Sequence, residues 1–183
     1  MSLFEEILAV YAARGADAYY GERVSMTEHG LQAAHFARAV RAPEPLVIAA
    51  LLHDVGHLLE EVPDAIEDWR TDARHEEVGG RWLARRFGPE VSEAVRLHVP
   101  AKRYLCATDA AYLGMLSAAS VHTLALQGGP MNAGEIARFE DEPNHRDAVR
   151  VRRWDDQGKV AGLKTAALAD YAGMIETLGQ ARA

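Results

Sequence analysis

The most apolar stretch of the chain, EPLVIAALLHDVGHLL at residues 44–59, reads as a helix that carries His53, Asp54 and His57 among leucines. Burying an imidazole or a carboxylate there is costly unless the group is paired or bound to something. The stretch therefore constrains the whole fold, because other elements must cover its apolar surface and also bring partners to its polar residues. Neighbours on a helix differ by about 100°. His53 and Asp54 can thus both face one centre between helices, one as a terminal ligand and the other as a bridge. His57, four residues after His53, shares its face, as a ligand or as a partner behind one.

The rest of the chain supplies covering helices. Ala, Leu, Glu and Arg dominate and β-branched runs are short, which favours helix throughout. Ser2 with Glu5 forms a capping box for a helix to about Arg14, stopped by Gly15. After the loop ADAYYGERVS, helices are predicted over about 27–41 and, past APEP, over 44–59. Pro63 starts a loop, and Asp72 caps a fourth helix that ends near Gly88. Pro89 opens a fifth, which reaches about His98 and is ended by Pro100. A short helix over 101–106 precedes a long apolar one, capped by Thr108 and stopped at Gly128. Asn132 with Glu135 caps the next, and helices over about 143–155 and 165–178 complete the chain. There is no internal repeat, low-complexity segment or dividing linker, so one all-α domain over 1–183 is expected.

The formal net charge is -7 with no basic stripe, so nucleic acid is not an expected partner. A few lysines and arginines can still line a pocket for a small anion. The single cysteine, Cys106, cannot form an internal disulfide, which fits a reducing compartment. MSLFEEILAVYAARG lacks the basic n-region of a signal peptide, and no apolar run approaches the roughly 20 residues of a membrane span. These readings predict a cytoplasmic protein without a membrane partner, a monomer or small homo-oligomer.

The histidines are His29, His35, His53, His57, His75, His98, His122 and His145. Any one alone reads as a surface or hydrogen-bonded core residue, but the cluster changes that. His29 opens the second predicted helix, His75 opens the fourth, His98 closes the fifth, and Asp155 closes the helix before the last. Bundles build metal sites from side chains on facing helices, and imidazole with carboxylate suits iron, manganese or zinc. His29, His53, Asp54 and Asp155 would hold one metal; His75 and His98 added to them suffice for two, bridged by Asp54. His35 lies six residues after His29, about 240° round the helix, so both cannot face one site. His145 reads as exposed and His122 as turned away. Asp156 competes with Asp155 for the last ligand position. Cys106 reads as packing, Trp69 and Trp82 as core or interface, and Trp154 as a pocket wall.

His29, the adjacent His53 and Asp54, and Asp155 resemble the ligand signature of the HD-domain superfamily of helical metalloenzymes, most of them phosphohydrolases. HVPAKRYL (98–105), SAASVHTLALQGGPM (117–131) and RRWDDQGK (152–159) look like its phosphonate-cleaving branch, the di-iron oxygenases of 1-hydroxy-2-aminoethylphosphonates. Myo-inositol oxygenase is a more distant relative, similar in the spacing of Asp155 to Lys159. The similarity runs from about Tyr19 to the end of the last helix, and TEHGLQAA favours His29 over His35.

The resemblance implies a helical bundle holding a mixed-valence Fe(II)/Fe(III) pair, with O2 as co-substrate. His29, His53, Asp54, His75, His98 and Asp155 take the ligand roles, with Asp54 as the bridge. Lys102, Ser120, Arg152 and Lys159 match the phosphonate-binding positions, and Gln127 is a candidate for the same pocket. Tyr19 and Glu22 match a Tyr-x-x-Glu loop that covers the metals before substrate binds, and Glu22 with His57 would recognise the amine end. Lys102 lies four residues after His98, Lys159 four after Asp155 and Arg152 three before it, so the cations reach one cleft. They would repel one another unless an anion such as a phosphonate sat among them. The implied products are phosphate and glycine or glycine betaine. Tyr19, Tyr20 and Tyr104 could face either a primary or a trimethylated ammonium. A metal-dependent phosphohydrolase would use the same ligands as Lewis acids without oxygen. A non-catalytic HD module is expected to have lost ligands, and this chain keeps them all.

Overall fold

The computed structural model describes residues 1–19, 21–59, 72 and 74–180. Among them there are helices and turns but no strand; an isolated antiparallel bridge joins Ala18 to Ser25. In chain order the helices are α1 (Leu3–Arg14), α2 (Met26–Ala39), α3 (Glu44–Leu52), α4 (Val55–Leu59), α5 (His75–Ala84), α6 (Pro89–Arg96), α7 (His98–Thr108), α8 (Ala118–Leu126), α9 (Ala133–Glu140), α10 (His145–Gln157) and α11 (Ala172–Gln180). Short 3-10 turns occupy Tyr112–Met115 and Leu168–Tyr171. The fold is an all-α bundle, as the composition predicts.

Helix α3 lies at its centre. Every residue from Leu46 to Leu52 is buried, and α2, α6, α10 and α11 pack round it. A helix apolar on all sides is stable only when covered in this way. Capping boxes start the covering helices: Ser2 with Glu5, Asn132 with Glu135, and also Ser25 with Glu28, which begins α2 at Met26. Each satisfies two backbone N–H groups that a helix start leaves orphaned.

Several predicted boundaries move, each for a local reason. The helix expected over 44–59 breaks at His53–Asp54, and α4 restarts where His57 N–H meets Asp54 O at 3.0 Å. The fourth helix begins at His75, later than an Asp72 cap implies, because Asp72 caps the Arg74 N–H and Arg74 takes a left-handed φ of 51°. It ends at Ala84, short of Gly88. Pro100 does not end a helix: α7 starts at His98, and a proline in a first turn removes only an N–H that had no partner there. Thr108 is the last residue of α7 and no cap, its hydroxyl donating to Tyr104 O. The long apolar helix after it is instead a 3-10 turn followed by α8, restarted by the Ser117 cap on Ser120 N–H. The last helix likewise begins as a 3-10 turn and becomes α11 at Ala172. The Pro63 loop, Trp69 and Tyr20 lie outside the described residues.

The glycine of the His-Asp-x-Gly-His segment has a packing reason. A Cβ on Gly56 would sit 2.0 Å from His75 O and 3.0 Å from Gly79 N. Only a residue without a side chain lets α4 approach α5 this closely, and the approach brings His75 to Asp54.

Candidate metal centre

Helix joints and ends gather the ligand candidates. His29 lies in the first turns of α2, His53 and Asp54 at the α3–α4 joint, His75 and His98 at the starts of α5 and α7, and Asp155 near the end of α10. All are buried, and they form two groups sharing Asp54. In the first, His29 Nε2 lies 3.0 Å from His53 Nε2, 3.4 Å from Asp54 Oδ2 and 3.3 Å from Asp155 Oδ1. In the second, His75 Nε2 lies 3.2 Å from both His98 Nε2 and Asp54 Oδ1, and His98 Nε2 is 3.4 Å from that oxygen. Metal–ligand bonds of about 2.1 Å separate neighbouring donors by about 3.0 Å in an octahedron and about 3.4 Å in a tetrahedron. Each group therefore has the spacing of a coordination shell, and Asp54 offers one oxygen to each.

The inward ring nitrogens are acceptors. His29 Nδ1 is 2.8 Å from Gly158 O, His53 Nδ1 2.8 Å from Ala50 O, and His98 Nδ1 2.7 Å from Val95 O. A carbonyl only accepts, so Nδ1 carries the proton and the neutral ring keeps a lone pair on Nε2. His75 Nδ1 faces the Glu76 carboxylate at 3.7 Å instead. Two lone pairs 3.0 Å apart repel unless a cation lies between them. Asp54 Oδ2 and Asp155 Oδ1 are also buried without a hydrogen-bond partner among the described residues. Burial opposes charge on Asp155, yet Arg152 and the facing histidines hold its carboxyl well below the usual range. Burial also opposes a charged His53, yet with no cation among these donors Asp54 and Asp155 would draw a proton onto it, raising it to about 10; a metal ion supplies that positive charge instead. Burial, helped by the neighbouring His75 and His53, takes His98 the other way, to about 4, against the pull of Asp54. Backed imidazoles converging with orphaned carboxylate oxygens make a set that fits divalent metal ions.

A cavity of about 40 Å3 adjoins the centre. Tyr19 and His57 line it on the metal side, Tyr19 stacked on the His29 ring at 3.9 Å and His57 on His75 at 3.8 Å. Lys102, Ser120, Gln127, Arg152 and Lys159 line the rest. Lys102 is 2% exposed and donates to Thr123 Oγ1 at 2.9 Å. Ser120 Oγ accepts from Lys159 Nζ at 3.1 Å and from Arg152 at 3.4 Å. Glu22 stands outside the lining, with Oε1 3.7 Å from Lys159 Nζ.

Residues 26–171 match the HD domain. The chain belongs to the HD-domain family. It is 48% identical over 164 residues to the hydroxymethylphosphonate dioxygenase of Gimesia maris, covering 87% of this chain and 80% of that protein. It is 42% identical over 177 residues to the glycine-betaine-forming 1-hydroxy-2-(trimethylamino)ethylphosphonate dioxygenase of Leisingera caerulea, covering 97% and 90%.

Within this HD domain the neighbouring acids part company: Asp155 faces His29, whereas Asp156 bonds Tyr112 and Arg152. His35 lies away from the centre against Phe36. Two readings need correction. Trp154 does not line the cavity but packs in the main core, because the residue before an inward Asp155 points elsewhere on α10. His145 is half-buried rather than exposed, held by Glu142 O at 2.7 Å and set against Phe139. Sequence reasoning also missed supporting residues. The Gln32 amide clamps both backbone groups of Val160, at 2.8 and 2.9 Å, and so fixes the segment carrying Lys159 to α2. Its spacing three residues after His29 was the available signal. Thr123, inside the 117–131 stretch but not singled out there, lines the cavity and holds Lys102, and Tyr112, which carries no motif, holds Arg152.

Proposed function

We propose that this chain is a di-iron oxygenase that cleaves the carbon–phosphorus bond of a 1-hydroxyalkylphosphonate with O2, acting as one domain over 1–183. The observation that carries the reading is one cavity lined by Asp54, His75, His98 and Asp155 of the two metal-ligand groups and by Lys102, Arg152, Ser120 and Lys159. Two relatives named phosphonate dioxygenases support it. No helix among the described residues is long and apolar enough to cross a membrane, and the lone Cys106 with a ferrous ion suits a reducing cytoplasm.

His29, His53, Asp54 and Asp155 would hold one iron, and Asp54, His75 and His98 the other. A mixed-valence Fe(II)/Fe(III) pair supplies the one-electron chemistry that activates O2 and oxidises C1. The balance is R–CH(OH)–PO3 2− plus O2 giving R–COO−, HPO4 2− and H+, so the C–H and C–P bonds at C1 both break. The chain's own residues orient the substrate. Lys102, Lys159 and Arg152 meet the phosphonate charge, and Ser120, already accepting from Arg152 and Lys159, keeps its proton for a phosphonate oxygen. Tyr19 over His29 shields the centre from water.

The described lining favours a short tail at C1. Its carboxylates, Asp54 and Asp155, both face histidines, its one tyrosine is Tyr19, and Tyr104 is turned to Glu140. A trimethylammonium group would want an aromatic or acidic box. Hydroxymethylphosphonate is therefore the first substrate to test, with the 2-amino and 2-trimethylamino ethyl analogues beside it. After anaerobic loading with Fe(II) and controlled admission of air, one phosphate is expected per O2 consumed. Hydrolysis of phosphate esters without oxygen uptake, with all three phosphonates intact, would replace this reading by the phosphohydrolase one.

The pH profile is a second expectation. Burial, reinforced by Arg152, lowers the Lys102 ammonium to about 7, and two metal cations would push the same way. Lys102 is then charged below that value and neutral above it in the free enzyme, and a bound phosphonate restores its proton. KM should rise about tenfold per pH unit on the alkaline side, one proton being taken up per substrate bound. Lys102→Arg should remove that limb, since a guanidinium keeps its charge. A flat wild-type profile between pH 7 and 9, together with an unchanged KM in Lys102→Ala, would show that Lys102 does not meet the phosphonate.

A further inference from the structure

The Arg152 guanidinium is more heavily engaged than a residue that only awaits an anion. Its Nη1 donates to Asp155 Oδ2 at 2.6 Å, its Nε to Tyr112 Oη at 2.9 Å, and its Nη2 to Asp156 Oδ1 and to Ser120 Oγ at 3.4 Å. The Tyr112 hydroxyl in turn donates to Asp156 Oδ2. Arg152 therefore links the carboxylate beside the metal centre to the serine of the phosphonate side, while Tyr112 and Asp156 grip it from behind. Arg152 is 4% and Tyr112 2% exposed, so this grip sits in a medium where a misplaced charge is costly. Tyr112 and Asp156 also line a separate cleft of about 240 Å3 with Met115, Arg153 and Gln157. They thus stand between Arg152 and that cleft.

We propose that Tyr112 and Asp156 are a positioning pair for phosphonate binding, fixing Arg152 where one guanidinium serves both the phosphonate and Asp155. The inference rests on the phosphonate reading above. Without the Tyr112 hydroxyl, Nε has no acceptor, and the guanidinium can swing wholly onto its two carboxylates. The metal ligands themselves are untouched by either member of the pair.

The test uses iron-loaded protein without oxygen, with methylphosphonate as a binding probe that lacks the C1 hydroxyl, followed by turnover of hydroxymethylphosphonate in air. Tyr112→Phe should raise both the methylphosphonate Kd and the KM about tenfold. Iron per chain and kcat should stay near wild type, with Tm lower by only the few degrees that one lost buried hydrogen bond costs. Asp156→Asn separates position from charge. Removing a negative charge beside the phosphonate would by itself tighten binding, so weaker binding in this variant as well is the expected result. Tighter binding in Asp156→Asn, an unchanged Kd in Tyr112→Phe, or a loss of iron and Tm that parallels the KM change would overturn the positioning role. If wild-type protein neither binds methylphosphonate nor turns over any hydroxyalkylphosphonate, the phosphonate reading falls and this inference with it. A wild type that does both beside an unaffected Tyr112→Phe sinks the inference alone.

Discussion

Asp54→Ala protein is expected to hold neither metal ion, and its phosphate release from hydroxymethylphosphonate to fall to background. The reason is that one carboxylate serves both groups: Oδ2 lies 3.4 Å from His29 and His53 Nε2, and Oδ1 lies 3.2 Å from His75 and 3.4 Å from His98 Nε2. His75→Ala should behave differently. It removes a ligand from the second group only, and His29, His53, Asp54 and Asp155 remain for the first, so one iron per chain should survive. A thermal readout independent of turnover accompanies the metal analysis. A ligand bound only by the folded state adds about 4 kcal/mol at a thousandfold excess over Kd, so Fe(II) should raise the wild-type Tm and leave that of Asp54→Ala unmoved. Two irons per chain in Asp54→Ala would end the bridging assignment.

Much of this was legible because the signals are local. The capping boxes at Ser2 and Asn132 mark helix starts wherever the rest of the chain goes, since donor and acceptor lie three residues apart. The cluster of candidate ligands was legible because histidines and carboxylates at helix ends are costly to bury without a purpose. Features decided by distant partners were not legible. Propensity runs straight through LLHDVGHLL, and nothing local predicts the break at His53–Asp54. The break follows from contact with α2, α5, α7 and α10, which each bring a group to the two side chains. It also changes the argument for His57. A continuous helix would place it on the face of His53, whereas the break sets it on α4, stacked on His75. Asp155 and Asp156 are equivalent as letters, and α10 separates them by turning one toward His29 and the other toward Tyr112. Gln32, Thr123 and Tyr112 were faint or invisible for a related reason: each acts through one hydrogen bond or a pair, on Val160, Lys102 and Arg152, and ordinary polar residues make such bonds throughout proteins.

Gly56→Ala carries the second large effect, and it acts without touching any ligand. The added Cβ would lie 2.0 Å from His75 O, where ordinary contact begins near 3.4 Å, so α4 and α5 must separate by more than an ångström. That movement takes His75 away from Asp54 Oδ1, which is 3.2 Å distant in the native arrangement. Overpacking of this severity belongs at the upper end of the usual range, about 3 kcal/mol. For a chain of this length each kcal/mol lowers Tm by about 2–4 °C, so a fall of roughly 6–12 °C is expected. Iron content should drop from two toward one, because the group around His29 and His53 does not depend on the α4–α5 approach. Gly173→Ala is the control, since nothing lies within 4 Å of a Cβ there and alanine is the better helix former. It should leave iron content and Tm at or above wild type. Were Gly56→Ala to keep both irons and its Tm, the tight α4–α5 contact would not be what holds His75 at the centre, and α5 would have to be positioned by its packing on α6 instead.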